Sequence, residues 1–241
     1  RMGRVYVLPY SSEHLQAVYS QMAESETSLQ VFYGTRAVSI SVADGVIRSV
    51  SAFSGDQPME IIPRMIVDCS GSGMVIQLAG AGQPEVPTEE RQLAGFAIRL
   101  SGLNAADELL PIRIPYVIRA AIEKRLLPEY LRYTTFYPAL SPSEGYLRIS
   151  MPPGRWADST SQAHHDAMQI HAHLAGWITS LKDSVIAEFS TEVQEREGTR
   201  LLGKHTLTAA DVLSGRRFSD AAAANSWPME FWHQRKGPCY Q

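Results

Sequence analysis

Residues 66–82 read IVDCSGSGMVIQLAGAG. Two apolar residues, Ile66 and Val67, lead into Asp68. A Gly-Ser-Gly turn follows, and then a small-residue helix. A strand that hands over to a helix through glycines lets backbone amides approach a ligand closely, and the amides at a helix start favour an anion. The same residues also make a tight turn that needs positive φ and holds no ligand. The surrounding pattern has to decide between the two.

Upstream, Leu15, Val18, Tyr19, Met22 and Ala23 recur at helical spacing behind Ser11-Ser12, which predicts a capped amphipathic helix. LQVFY (29–33) reads as a short strand. Val38, Ile40 and Val42 alternate with polar residues up to Asp44-Gly45, a two-residue hairpin turn. A third strand near MEIIP completes a meander, and residues 64–68 read as a buried strand. Downstream of Pro84 and Pro87 the texture changes. QLAGFAIRLSGL (92–103) reads as a strand. Residues 113–126 carry a helical stripe of Val117, Ile118, Ala121, Ile122 and Leu126. A hairpin turns near Pro142–Gly145. A long helix over 160–182 presents Ala163, Ala167, Ile170, Leu174, Trp177, Ile178 and Leu181. From residue 183 the chain reads as short helices and loops, with Thr208 as a helix N-cap.

The bulk numbers exclude several classes. With 44% hydrophobic and 20% charged residues, 241 positions suffice for a packed core. A net charge of −3 without any basic block argues against nucleic acid. No apolar run approaches membrane-spanning length. Cys69 and Cys239 make neither a disulfide framework nor a zinc set. His164, His165, His171 and His173 lack the three- or four-residue spacing that two metal ligands on one helix need, so no metal site is expected.

Two further stretches carry candidate chemistry. Arg196 and Arg200 share a face if their segment is helical, and paired guanidiniums bind a carboxylate or polarise a carbonyl; a surface pair beside glutamates reads equally well. In NSWPMEFWHQRKGPCY, Trp227, Pro228 and Trp232 suggest an ordered apolar segment near a cleft or interface. Glu230 and His233 offer an acid/base pair, or belong to an amphipathic loop packed on the domain.

Together these pieces resemble the FAD-dependent oxidoreductase family with a glutathione-reductase-like nucleotide domain. Val67–Gly73 with Ala79-Gly80-Ala81 stands where that family has I-D-A-T-G-D-G-D before AGA. Arg196-Glu197, Arg200, Gly203, Thr206-Leu207, Asp211 and Gly215-Arg216-Arg217-Phe218 with Asp220 follow its second motif. Ser70 replaces the family Thr, Ser72 an Asp, and Thr199 an Arg, while Glu230 and His233 replace an Asp and a His with one extra residue between them. The resemblance implies an α/β plus α+β fold, with a partial dinucleotide-binding region and β-meander over 1–84 and a substrate-capping region over 85–241. It implies FAD contacts at Ser70, Gly71, Ser72 and Gly73, substrate contacts at Arg196 and Arg200, and active-site places for Glu230 and His233. The substrate is then a small organic molecule, anionic or carbonyl-bearing. The family's first G-x-G-x-x-G turn is not found before residue 30. The chain therefore reads as the middle of a longer cytoplasmic enzyme, opening abruptly at Arg1-Met2-Gly3. FAD is expected in the full-length protein and not in this chain, which by itself is expected to be inactive. Strand edges left unpaired invite a homodimer. The alternative is a non-catalytic ligand- or protein-binding module on a degenerate flavoprotein fold.

Overall fold

The computed structural model describes residues 8, 10–84, 86–104, 107–154, 160–221, 223–224 and 229–240. The opening residues RMG and the Trp227-Pro228 pair lie outside the described residues. The chain forms two compact units, one from the described residues within 86–196 and 222–241, the other from those within 7–85 and 197–221. Helices and sheets are mixed, and every strand pair among the described residues is antiparallel.

The first unit is built on a four-stranded sheet. Strands β4 (Ala94–Ser101), β5 (Thr135–Pro138), β6 (Glu144–Met151) and β7 (Val185–Phe189) lie in the order β5-β6-β4-β7. Side chains alternate between the two faces of a strand. Phe96, Ile98 and Leu100 of β4 and Leu147, Ile149 and Met151 of β6 are buried on one face. They pack against Ile114 and Ile118 of α3 (Leu110–Glu123) and Ala167, Ile170 and Leu174 of α4 (Thr160–Trp177). Each such aliphatic side chain stabilises the fold by roughly 1.5–3 kcal/mol. The other face carries Ala97, Arg99, Tyr137, Tyr146 and Arg148, by the registers Ala97↔Arg148, Arg99↔Tyr146 and Tyr137↔Tyr146. A hairpin of β8 (Glu230–His233) and β9 (Gly237–Tyr240) belongs to the same unit.

Several expectations change here. The helix expected over 113–126 begins at Leu110, with Pro111 in its first turn, where a missing N–H is harmless. It ends at Glu123, because Arg125 turns left-handed (φ 58°), and Leu126 is exposed. The long helix stops at Trp177, and Ile178 and Leu181 reach the core through a short 3-10 turn. Trp177 itself is exposed, with the Lys124 ammonium 5.3 Å from its ring. Strand β7 and the β8–β9 hairpin replace part of the expected loops.

The second unit holds α1 (Ser12–Ser25), whose cap Ser11 accepts from the His14 amide at 3.2 Å. A meander of β1 (Thr35–Ala43), β2 (Val46–Ser54) and β3 (Gln57–Ile61) follows, turning at Asp44-Gly45 with φ 52° and 71°. Residues 29–33 and 64–68 are not strands. A strand exists only through the ladder it shares with a neighbour, and neither segment has one among the described residues. Met65 and Val67 are therefore exposed, as are Val18, Tyr19 and Met22 on the apolar stripe of α1.

The glycine turn leads into α2 (Met74–Leu78), as its spacing implies. The two sequence motifs meet here. Thr199 N donates to Ser72 O at 2.7 Å, Gln83 N to Arg200 O at 2.7 Å and Leu202 N to Ala81 O at 3.0 Å. A Cβ on Gly73 would lie 2.2 Å from Thr199 O, and one on Gly198 would lie 2.2 Å from Ser72 O. Beyond this crossing, Thr208 caps α5 (Ala209–Leu213) in a reciprocal box with Asp211. Asp211 is held well below the usual carboxylate range by its bonds from Thr208 and from Arg216 (2.8 Å).

Gly71 and Gly73 are both left-handed (φ 76° and 71°), but a Cβ on Gly71 meets nothing within 4 Å. Gly71→Ala is expected to cost about 1–2 kcal/mol from backbone strain alone. Gly73→Ala, which also collides with backbone, is expected to cost roughly 3 kcal/mol or more. Urea unfolding of the two variants checks the difference.

Candidate functional site: an arginine pair beside Trp232

A cavity of about 720 Å³ opens on the outer face of the four-stranded sheet in the first unit. Tyr137, Tyr146 and Arg148 line it from the strands, and Gln194, Glu195 and Arg196 from the segment after β7. That segment is fixed to the sheet by paired bonds between Gly95 and Gln194 (3.0 and 2.7 Å). The Arg148 guanidinium lies 4.6 Å from the Trp232 ring centroid and that of Arg196 4.5 Å. Trp232 is buried, and its backbone is anchored twice: its N–H donates to Gln92 Oε1 at 2.8 Å and its carbonyl accepts from Leu93 N at 2.8 Å.

Arg196 is partly buried, and its Nε has no hydrogen-bond partner among the described residues. Burial first, and the charge of Arg148 second, push its pKa down to about 10; the Glu230 carboxylate opposes them. The Glu230 carboxylate accepts from the Trp232 indole N–H. Tyr240 stands opposite Glu230 in the hairpin register and hydrogen-bonds it. Burial and that carboxylate push the Tyr240 phenol up, so it stays protonated.

The sequence-derived candidates separate. Residues 196–200 are not helical, so no helix face pairs Arg196 with Arg200. The backbone bonds of 199–202 to residues 72, 81 and 83 hold an extended path instead. Arg196 belongs to the first unit and faces the cavity; exposed Arg200 belongs to the second, where its carbonyl accepts from Gln83 N. Glu230 and His233 lie three apart on a strand, which sends them to opposite faces. Glu230 joins the arginine cluster, while His233 Nδ1 accepts from the amides of Arg235 (3.0 Å) and Lys236 (3.3 Å) in the hairpin turn. The four α4 histidines enter packing or local bonds. His164 lies 4.5 Å from the Phe189 ring and 5.4 Å from that of Phe96, His165 bonds Gln169, His171 bonds Ser184, and His173 lies 6.2 Å from Trp177.

Sequence reading did not single out Arg148, Tyr137 or Tyr240. Arg148 sits at an outward position between core-facing Leu147 and Ile149, a place ordinarily taken by any solvated polar residue, so spacing alone carried no signal. Trp232 was legible as part of an ordered apolar segment near a cleft or interface.

The family model described as FAD dependent oxidoreductase matches residues 1–240. The chain belongs to that family. No curated protein and no solved structure gives a significant match. Among the described residues no helix is long and apolar enough to cross a membrane.

Membership implies FAD, and the 70–73 turn is the place to test the fit. Ser70 Oγ accepts from Met74 N at 2.8 Å, and the Asp68 carboxylate accepts from Ser70 N (2.9 Å) and Ile76 N (3.1 Å). Gly73 faces Thr199, and only the side of Gly71 is open. The chain itself uses the side chains of Asp68 and Ser70 and one of the turn's two close approaches, so these residues do not by themselves make a nucleotide site.

The Arg196 charge destabilises the folded state at every pH below about 10, and this penalty fades as pH rises from there toward the ordinary value of 12.5. Arg196→Leu is therefore expected to stabilise the protein by about 1 kcal/mol at pH 7. The gap from wild type should narrow as pH passes about 10. Thermal melts at neutral and alkaline pH check both points.

Proposed function

We propose that the chain supplies the substrate receptor of an FAD-dependent oxidoreductase whose substrate is a small organic anion. The observation that supports this reading is the half-buried Arg196, its Nε unpartnered among the described residues, beside Arg148 in one cavity. A like-charged pair held against an indole is unfavourable without an anion to share, and charge-assisted bonds to a carboxylate contribute about 1.5–3 kcal/mol each. The indole face of Trp232 steadies both guanidiniums. The rings of Tyr137 and Tyr146 and the methyl of Ala97 give the bound molecule an apolar wall. The redox chemistry belongs to the flavin of the family; this chain's residues bind and orient.

Titration of 4-methylbenzoate into the protein by calorimetry tests the receptor. Arg196→Gln and Arg148→Gln should each weaken binding at least about tenfold, as the loss of one charge-assisted bond implies. Unchanged affinity in both variants would remove the pair from the site.

The chain is expected not to hold FAD. What the 70–73 turn leaves for a ligand is a few contacts contributing about 0.5–1.5 kcal/mol each, against at least about 4 kcal/mol lost on association. A yellow preparation, or submicromolar FAD binding by fluorescence quenching, would show that the turn suffices.

A further inference from the structure

The cluster at Trp232 contains a carboxylate that an anion receptor does not need. Glu230 begins β8 and points the same way as Trp232, whose indole N–H donates to it. Tyr240, its partner across the hairpin, donates as well. Two donors on two paired strands thus fix this carboxylate, and its charge acts on Arg196. Arg148, Arg196 and Glu230 together leave one net positive charge. A second carboxylate, Glu195, lines the cavity with its side chain turned to the Gly154 amide at 2.8 Å. A ligand with one carboxylate neutralises Arg148, Arg196 and Glu230 taken together, and with Glu195 counted every further negative charge in the cavity is unbalanced. A ligand with two must place the second near Glu230 or Glu195, where like charges repel, or against Ala97, Tyr137 and Tyr146, where no further cation among the described lining residues meets it.

We propose that Glu230 sets the charge the cavity accepts, acting as a built-in counter-ion that makes the site select organic monocarboxylates over dicarboxylates. This rests on the anion-receptor reading above. It gives Glu230 a specificity role, and it makes Tyr240 a positioning residue that holds the carboxylate in place.

The probes are 4-methylbenzoate and benzene-1,4-dicarboxylate, which match in shape and differ by one charge. The rigid ring prevents the second carboxylate from folding back onto the same arginines. Calorimetry at low ionic strength should show wild type preferring the monoacid by at least about tenfold. The preference should shrink as salt is raised, since screening weakens charge repulsion and leaves shape discrimination intact. Glu230→Gln keeps an acceptor for the indole N–H and should bring the two affinities within about threefold. Glu230→Asp keeps the charge and should retain the preference. Equal affinities in wild type, a salt-independent ratio, or an unchanged ratio in a folded Glu230→Gln would each overturn the proposal. Failure of both acids to bind wild type would instead refute the receptor itself. The salt series needs no variant, so the proposal is tested even if Glu230→Gln does not fold.

Discussion

Two guanidinium groups that repel each other are held against one indole ring. This arrangement requires everything around it to be stiff. Arg148 is placed by β6, whose alternate residues Leu147, Ile149 and Met151 are locked in the core. Arg196 is placed by the segment that Gly95 and Gln194 bond to the sheet. Trp232 is placed by a hairpin whose backbone is tied to Gln92 and Leu93. Interiors packed at crystal-like density resist small displacements. The core face of the sheet thus keeps the cavity face in an unfavourable charge state.

The first unit was largely legible in its sequence because its signals were internal to each element. The alternation in AGFAIRLS and in GYLRIS, the stripe through Ala163, Ala167, Ile170 and Leu174, and the turn at Pro142–Gly145 need no knowledge of a partner. Caps at Ser11 and Thr208 and the Asp44-Gly45 turn were readable for the same reason. What escaped depended on neighbours. LQVFY and residues 64–68 have strand composition, yet strand formation belongs to a pair and not to a residue. Strand β7 is a short edge whose alternation is weak. The site followed the same division. Arg196 and Arg200 were paired on the assumption of a helix, which the backbone bonds of 199–202 replace, and the arginine that does stand beside Arg196, Arg148, comes from a distant strand.

The second unit keeps little apolar surface covered. Val50 and Ala52 are buried in the meander, while the stripe of α1 and the segment around Met65 and Val67 remain in contact with solvent. Hydrophobic burial there is modest, and backbone bonds, caps and the Asp211 ion pair carry a larger share of its order than in the first unit.

Gly73 and Gly198 belong to segments far apart in the sequence, yet each lacks a side chain because the other segment's backbone fills the space. The two are consequently one structural character written in two places. A compensating change at either position is closed off, because the obstacle is main chain and no substitution elsewhere shortens a carbonyl. Lengthening or shortening the chain between them is far less restricted, so long as both ends return to the crossing. Divergence in this fold is thereby channelled into the span between the two segments, which includes most of the first unit and the strands that shape its cavity.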